Sequence, residues 1–229
     1  MLDQKELQRK SELLKEQKIK QIKNNIRTNC LKVLEFPEVI ENIILEYYFF
    51  DVSKIETNKS LKEKVNTYYT TKNAYLISEL DVSCVTSMNS LFCCFYLFNE
   101  SLDKWDTSYV VDMCCMFHYC ENFNQPVNFN TSKVIDMNSM FYDCTKFNQS
   151  VEFDTSNVTN MCRMFYQCVN FNQPVNFNTS KVSDMHCMFM CCIKFNHPVN
   201  FDTSNVKYNE YMFKFCNSLE EKNKMLIMH

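Results

Sequence analysis

The sequence predicts an α/β solenoid of about six 24-residue turns, each a short parallel strand plus a short helix, behind a helical N-terminal region. Three observations lead there: a fixed repeat, an apolar column at helical spacing, and a short alternating stretch. The segment "FNQPVNFNTSKV" stands at Phe123–Val134 and again at Phe171–Val182, 48 positions on. The triplet Asp/Asn-Thr-Ser begins at Asp106, Asn130, Asp154, Asn178 and Asp202, each 24 residues after the last, and "DVSCV" at Asp81 precedes Asp106 by 25.

The helix comes first in each turn. From Val85, Val110, Val134, Val158, Val182 and Val206, the residue three further on is Met88, Met113, Met137, Met161, Met185 and, breaking the pattern, Asn209. Within one turn Met137, Met140, Phe141 and Cys144 fall at i, i+3, i+4 and i+7, one face of a two-turn helix. Ser87, Asp112, Asp136, Asn160 and Asp184 precede these stripes as N-cap residues. The strand follows: in "VNF" at Val127–Phe129, Val127 and Phe129 share one side and Asn128 the other. Successive strands would stack in parallel about 4.8 Å apart. Pro126, Pro174 and Pro198 limit these strands, because a central strand needs its N–H groups. One such turn cannot bury enough surface to fold alone, so stability accumulates with copy number.

The 48-residue alternation has two readings. Asn130 and Asn178 interposed between Asp106, Asp154 and Asp202 break a column of like charges, and recent duplication would give the same pattern.

The domain boundaries read as a charged N-terminal helix (1–32), a helical segment (33–80), the repeat (81–205), and a last partial turn with a C-terminal cap (206–229). Hydrophobic content of 46% is enough for a core, and a net charge of −3 gives no dense basic face for nucleic acid. The basic excess in the first 29 residues is spread along a helix, as a solvated lead-in would be. Glycine is absent, which excludes Gly-rich phosphate loops and dinucleotide fingerprints. The 27 asparagines are expected to take the left-handed positions that glycine would otherwise fill.

The start carries no apolar core of a signal peptide, and the longest apolar run, "LFCCFYLF" at Leu91–Phe98, is too short to span a bilayer. The expectation is an intracellular, cytoplasmic protein (host cytoplasm for a viral one) that does not engage membranes. Fourteen cysteines include no Cys-x-x-Cys pair, so no metal site is expected. The Cys120–Cys216 column reads as a buried reduced ladder, with inter-turn disulfides as the alternative. Histidines and carboxylates converge on no catalytic constellation, so neither catalytic residues nor a cofactor are assigned and the chain reads as a non-enzyme.

With these columns in view, "WDTSYVVDMCCMFHYCENFNQPV" at Trp105–Val127 resembles the repeat of the BspA-like leucine-rich-repeat surface proteins, a unit of roughly 25 residues. Asp-Thr-Ser, Val-x-Asp-Met, Met-Phe, Cys and Phe-Asn-Gln carry the likeness, which runs from about Leu80 to Leu219. The resemblance implies a right-handed, leucine-rich-repeat-like solenoid that binds other macromolecules and carries no catalytic residues. The export signal and anchor of the surface members are not found, so an adhesin role is the less favoured alternative.

Upstream, "LEFPEVIENIILEYYFF" at Leu34–Phe50 is similar to the opening of an F-box, with Phe36, Ile40, Ile43, Ile44 and Tyr47 on one helical face and Pro37 at its start. The plainer alternative is an amphipathic helix capping the first turn. The functional expectation is a scaffold for a protein partner, bound through the outward-facing Asn128, Glu152, Asn176 and Asn200. The runner-up is an F-box-type substrate adaptor of a ubiquitin ligase.

Overall fold

A computed structural model describes residues 58–71, 75–78, 80–220 and 223 of the chain. Helix α1 spans Asn58–Thr71 and α2 spans Tyr75–Ser78. From Leu80 to Glu220 there is neither helix nor strand, only turns, bends and isolated bridges. The α/β solenoid is therefore overturned, and with it the strand-plus-helix turn on which the leucine-rich-repeat-like architecture rested. Phe36, Pro37, Ile40, Ile43, Ile44 and Tyr47 lie outside the described residues.

What forms instead is a stack of turns joined in the 24-residue register. Parallel bridges pair Ser87 with Asp112, Asp112 with Asp136, Asp136 with Asn160, Asn160 with Asp184, and Asp184 with Tyr208. The segment expected to be helical is a ribbon of β-turns whose N–H groups alternate in destination. Met140, Tyr142 and Cys144 donate three residues back, to Met137, Ser139 and Phe141. Met137, Ser139, Phe141 and Asp143 donate outward to the carbonyls of Asn160, Cys162, Met164 and Tyr166 in the next turn, at 2.8–3.0 Å. The same four rungs join every successive pair of turns.

Every second N–H is thus committed to a neighbouring turn, and an i→i−4 helical ladder is impossible. The two classes of backbone share a side-chain pattern, because turns reversing every four residues also direct i, i+3, i+4 and i+7 inward. Met137, Met140, Phe141 and Cys144 are all fully buried.

The reversals require a left-handed residue at the third position of the turns, at Ser139 (φ 52°) and Asp143 (φ 57°), and at the equivalent sites of every turn. Among the described residues, none of the twelve with positive φ is asparagine, contrary to expectation. Asparagine serves through its side chain instead. Asn124 Oδ1 accepts the N–H of Asn148, Asn148 Oδ1 that of Asn172, and Asn172 Oδ1 that of Asn196, at 2.8–3.0 Å. At the corners Asn130 Oδ1 accepts the N–H of Ser132, and Asp154 Oδ1 that of Ser156. The residues expected to cap helices do bind an N–H two positions on, as Asp136 does for Asn138 at 2.7 Å, but they open a turn ribbon.

The stretches "VNF" alternate as expected, with Val127 and Phe129 buried and Asn128 exposed. They pair with no neighbouring backbone, so Pro126, Pro174 and Pro198 forfeit no rung.

Phenylalanines fill the interior. Phe92, Phe117, Phe141, Phe165 and Phe189 stack at 5.3–5.5 Å between ring centroids with nearly parallel planes. A second column, Phe98 to Phe195, repeats at 5.8–6.0 Å. Beside them the thiols of Cys120, Cys144, Cys168, Cys192 and Cys216 each donate to the carbonyl of a phenylalanine in the preceding turn, at 2.9–3.1 Å.

The first turn is covered by α1, which buries Leu61 and Val65 completely while Asn58 Oδ1 accepts the N–H groups of Thr86 and Ser87. The carbonyl of Ile77 in α2 receives the Trp105 indole N–H at 2.9 Å.

Candidate functional site

Because alternate residues of the ribbon point outward, each turn contributes fixed positions to an external face. Eight residues after the repeat valine stand His118, Tyr142, Tyr166, Met190 and Lys214. Their rings meet across the turns: His118 and Tyr142 at 4.5 Å, Tyr142 and Tyr166 stacked at 4.6 Å and 11°. Tyr119 meets the Tyr142 ring edge-on at 5.4 Å. The ladder between turns sets these spacings, so the aromatic strip is held rigidly and without loops.

Beside the strip lies a groove of about 610 Å³, lined also by Arg163, Tyr211 and Lys214. Arg163 and Lys214 are exposed, and the Lys214 ammonium lies 4.5 Å from the Tyr211 ring centroid. His186 approaches Glu210 at 3.5 Å.

Partial burial holds His118 below its ordinary pKa, so the ring in the strip is neutral at neutral pH. Burial, with Tyr119 and Tyr166 as neighbours, pushes the Tyr142 hydroxyl up to about 12, so it remains a hydrogen-bond donor. Burial also raises Cys93 to about 11 and Cys114 to about 12. Thiols so protonated are poor nucleophiles. The described cysteines form no disulfide, and among the described residues no group of three or more His, Cys, Asp or Glu side chains could hold a metal ion.

Asn128, Glu152, Asn176 and Asn200 are all exposed, one per turn and 24 residues apart. They offer amides and one carboxylate, with neither an aromatic ring nor a cation among them. The aromatic groove escaped sequence reasoning, although the repeat alignment contained its signal in the shared position of His118, Tyr142 and Tyr166.

No curated protein and no solved structure matches the chain. A family model matches twice, over residues 59–153 and 150–226, so that the first match begins inside α1 and the two together span the stacked turns. This is compatible with the BspA-like repeat resemblance, but assigns neither leucine-rich-repeat nor F-box character. The chain belongs to the family described as Mycoplasma protein of unknown function, DUF285.

Proposed function

We propose that the chain is a non-enzymatic binding protein that holds a protein partner on the Tyr142–Tyr166 face. The carrying observation is the pair of tyrosine rings stacked at 4.6 Å beside the exposed Arg163. Tyrosine and arginine dominate the energetics of protein interfaces: the tyrosine ring buries large area with little loss of conformational freedom and keeps a polar end, and the arginine guanidinium supplies a planar, multiply donating cation. A rigid strip has little ordering cost to meet on binding. Free thiols spent on internal hydrogen bonds support a reducing, intracellular setting.

An interaction screen with the full chain tests this reading. Replacing Tyr142 and Tyr166 by Ala is expected to weaken partner capture at least about tenfold, while Ala at Asn128, Glu152, Asn176 and Asn200 leaves it intact. The reverse outcome would transfer the site to the asparagine column and end this assignment.

The F-box likeness at Leu34–Phe50 supports a second reading, a ligase adaptor. Co-purification of the ligase linker protein with the full chain, lost on Ile40→Asp, would favour it.

A further inference from the structure

We infer that the aromatic face takes its partner through an acidic segment, an extended stretch with at least two carboxylates held between Arg163 and Lys214. This inference rests on the binding reading above and names the chemistry of the partner. The chain as a whole is acidic, with 27 Asp and Glu against 24 Lys and Arg. The groove reverses that balance: Arg163 and Lys214 line it and no carboxylate does. Asp143, whose charge reaches the Tyr142 hydroxyl, is not among the lining residues, and Glu210 faces His186 at 3.5 Å. Among the described residues no hydrogen bond or ion pair engages the Arg163 guanidinium, while the Lys214 ammonium meets only the Tyr211 and Phe215 rings, 4.5 and 5.2 Å from their centroids.

The tyrosines carry the same sign. Along the stack Tyr142 has His118 on one side at 4.5 Å and Tyr166 on the other at 4.6 Å. Its ring faces, the negative part of the quadrupole, are therefore covered, and a ligand meets the positive ring edge and a hydroxyl that burial keeps protonated. The complement is an anion. A nucleobase finds no open face on Tyr142 to stack on, and the two cations of the groove are few for a phosphate backbone. Arg163 and Lys214 stand two turns apart, roughly 10 Å along the stack at the spacing of bridged backbones, a span that about three residues of extended chain cover. These side chains project sideways from the inter-turn ladder, so a further turn stacked on the last would lengthen the face rather than cover it. The first 29 residues of the chain, with eight Lys and Arg against four acids, have the wrong sign for an occupant.

The test is fluorescence anisotropy on the full chain with two synthetic peptides carrying an uncharged dye, one of six glutamates and one of six glutamines. At low salt the glutamate peptide is expected to bind at least about tenfold tighter than the glutamine peptide, and added salt to weaken it. Arg163→Gln with Lys214→Gln is expected to remove that preference, while Lys133→Gln with Lys181→Gln, at exposed corner positions outside the groove, leaves it unchanged. Equal binding of the two peptides overturns the proposal. So does equal loss in the two double variants, which would mark diffuse attraction to the whole surface, and so does displacement of the glutamate peptide by a lower concentration of a short oligothymidine, which would make the ligand a nucleic acid. Neutralising the chain's own acidic run by Glu35→Gln, Glu38→Gln, Glu41→Gln, Glu46→Gln and Asp51→Asn together is expected to leave the affinity as it was. A gain of about tenfold would mean that this run fills the face, and would overturn the partner. If a variant does not fold, the wild-type comparison of the two peptides still decides. For a partner found by the interaction screen, capture that needs Tyr142 and Tyr166 but survives Arg163→Gln with Lys214→Gln overturns this inference and leaves the aromatic face standing, so the two failures are distinguishable.

Discussion

The thiol of Cys168 illustrates how single residues are used twice. It fills interior volume as a small apolar group and donates to the carbonyl of Phe141 at 2.9 Å, a bond that alanine would lose. Burial raises the pKa of Cys120, Cys144, Cys168 and Cys192. A thiol-exchange reagent added to native protein is expected to modify the exposed Cys84 and Cys94 first, and to reach the inner column only on unfolding. Reaction of the inner column at the rate of Cys84 would contradict its burial.

Asp136 makes the opposite case, a carboxylate held at a cost. Burial, then the neighbouring Asp112 and Asp184, raises its pKa above the ordinary 3.8, although the N–H of Asn138 opposes this. The folded chain then binds a proton more tightly than the unfolded one. Stability falls as pH rises from the ordinary value through the raised one. Asp136→Asn is expected to raise the melting temperature at pH 7 and to gain nothing at pH 3. Asn160 occupies the same column with Oδ1 on the N–H of Cys162, so an amide keeps the turn-opening bond; the acceptor that Asp136 Oδ2 offers to Asn160 Nδ2 at 3.3 Å is the cost of the change. Equal effects at both pH values would refute the linkage. In the corner column hydrogen bonds from Ser108, Ser156 and Ser204 hold Asp106, Asp154 and Asp202 below the ordinary carboxyl value, with Asp81 opposing this at Asp106.

At the scale of the element, the turn ribbon accepts left-handed residues without glycine, each costing about 1–2 kcal/mol. Four inter-turn hydrogen bonds per interface hold these conformations in place. Gln167 (φ 56°) is expected to gain up to about 1 kcal/mol on Gln167→Gly and to lose more than that on Gln167→Val, whose branched side chain resists positive φ. Thermal unfolding of the two variants checks the sign. If Gly destabilised and Val did not, residue 167 would sit in a helix after all.

This element also shows where the sequence was legible. The repeat length, the inward columns of Val, Met, Phe and Cys, and the outward phase of Asn128 were readable, because burial depends only on side-chain direction. The backbone was not. Met137, Met140, Phe141 and Cys144 satisfy helix spacing and turn-ribbon spacing alike, and the deciding fact, φ at Ser139 and Asp143, leaves no mark in residues that carry a Cβ. The aromatic groove was hidden for the same reason, since a helix directs the position of Tyr142 and Tyr166 differently.

For the whole molecule, stability follows copy number, with each turn bonded to its two neighbours. Deleting residues 135–158 joins Val134 to Thr159 in register and is expected to leave a cooperative fold with a lower melting temperature. Deleting only 147–158 breaks every column and is expected to abolish cooperative unfolding. Phe141→Ala empties the centre of the ring stack and is expected to cost about 3–5 kcal/mol, read by denaturant titration.

A crystal structure of the full chain tests the stacked-turn ribbon most directly. The account predicts Phe117, Phe141, Phe165 and Phe189 stacked at 5.3–5.5 Å, with the N–H groups of Met137, Ser139, Phe141 and Asp143 on the carbonyls of Asn160, Cys162, Met164 and Tyr166. An α-helix over 137–144, with those N–H groups bonded four residues back in their own turn, would contradict it.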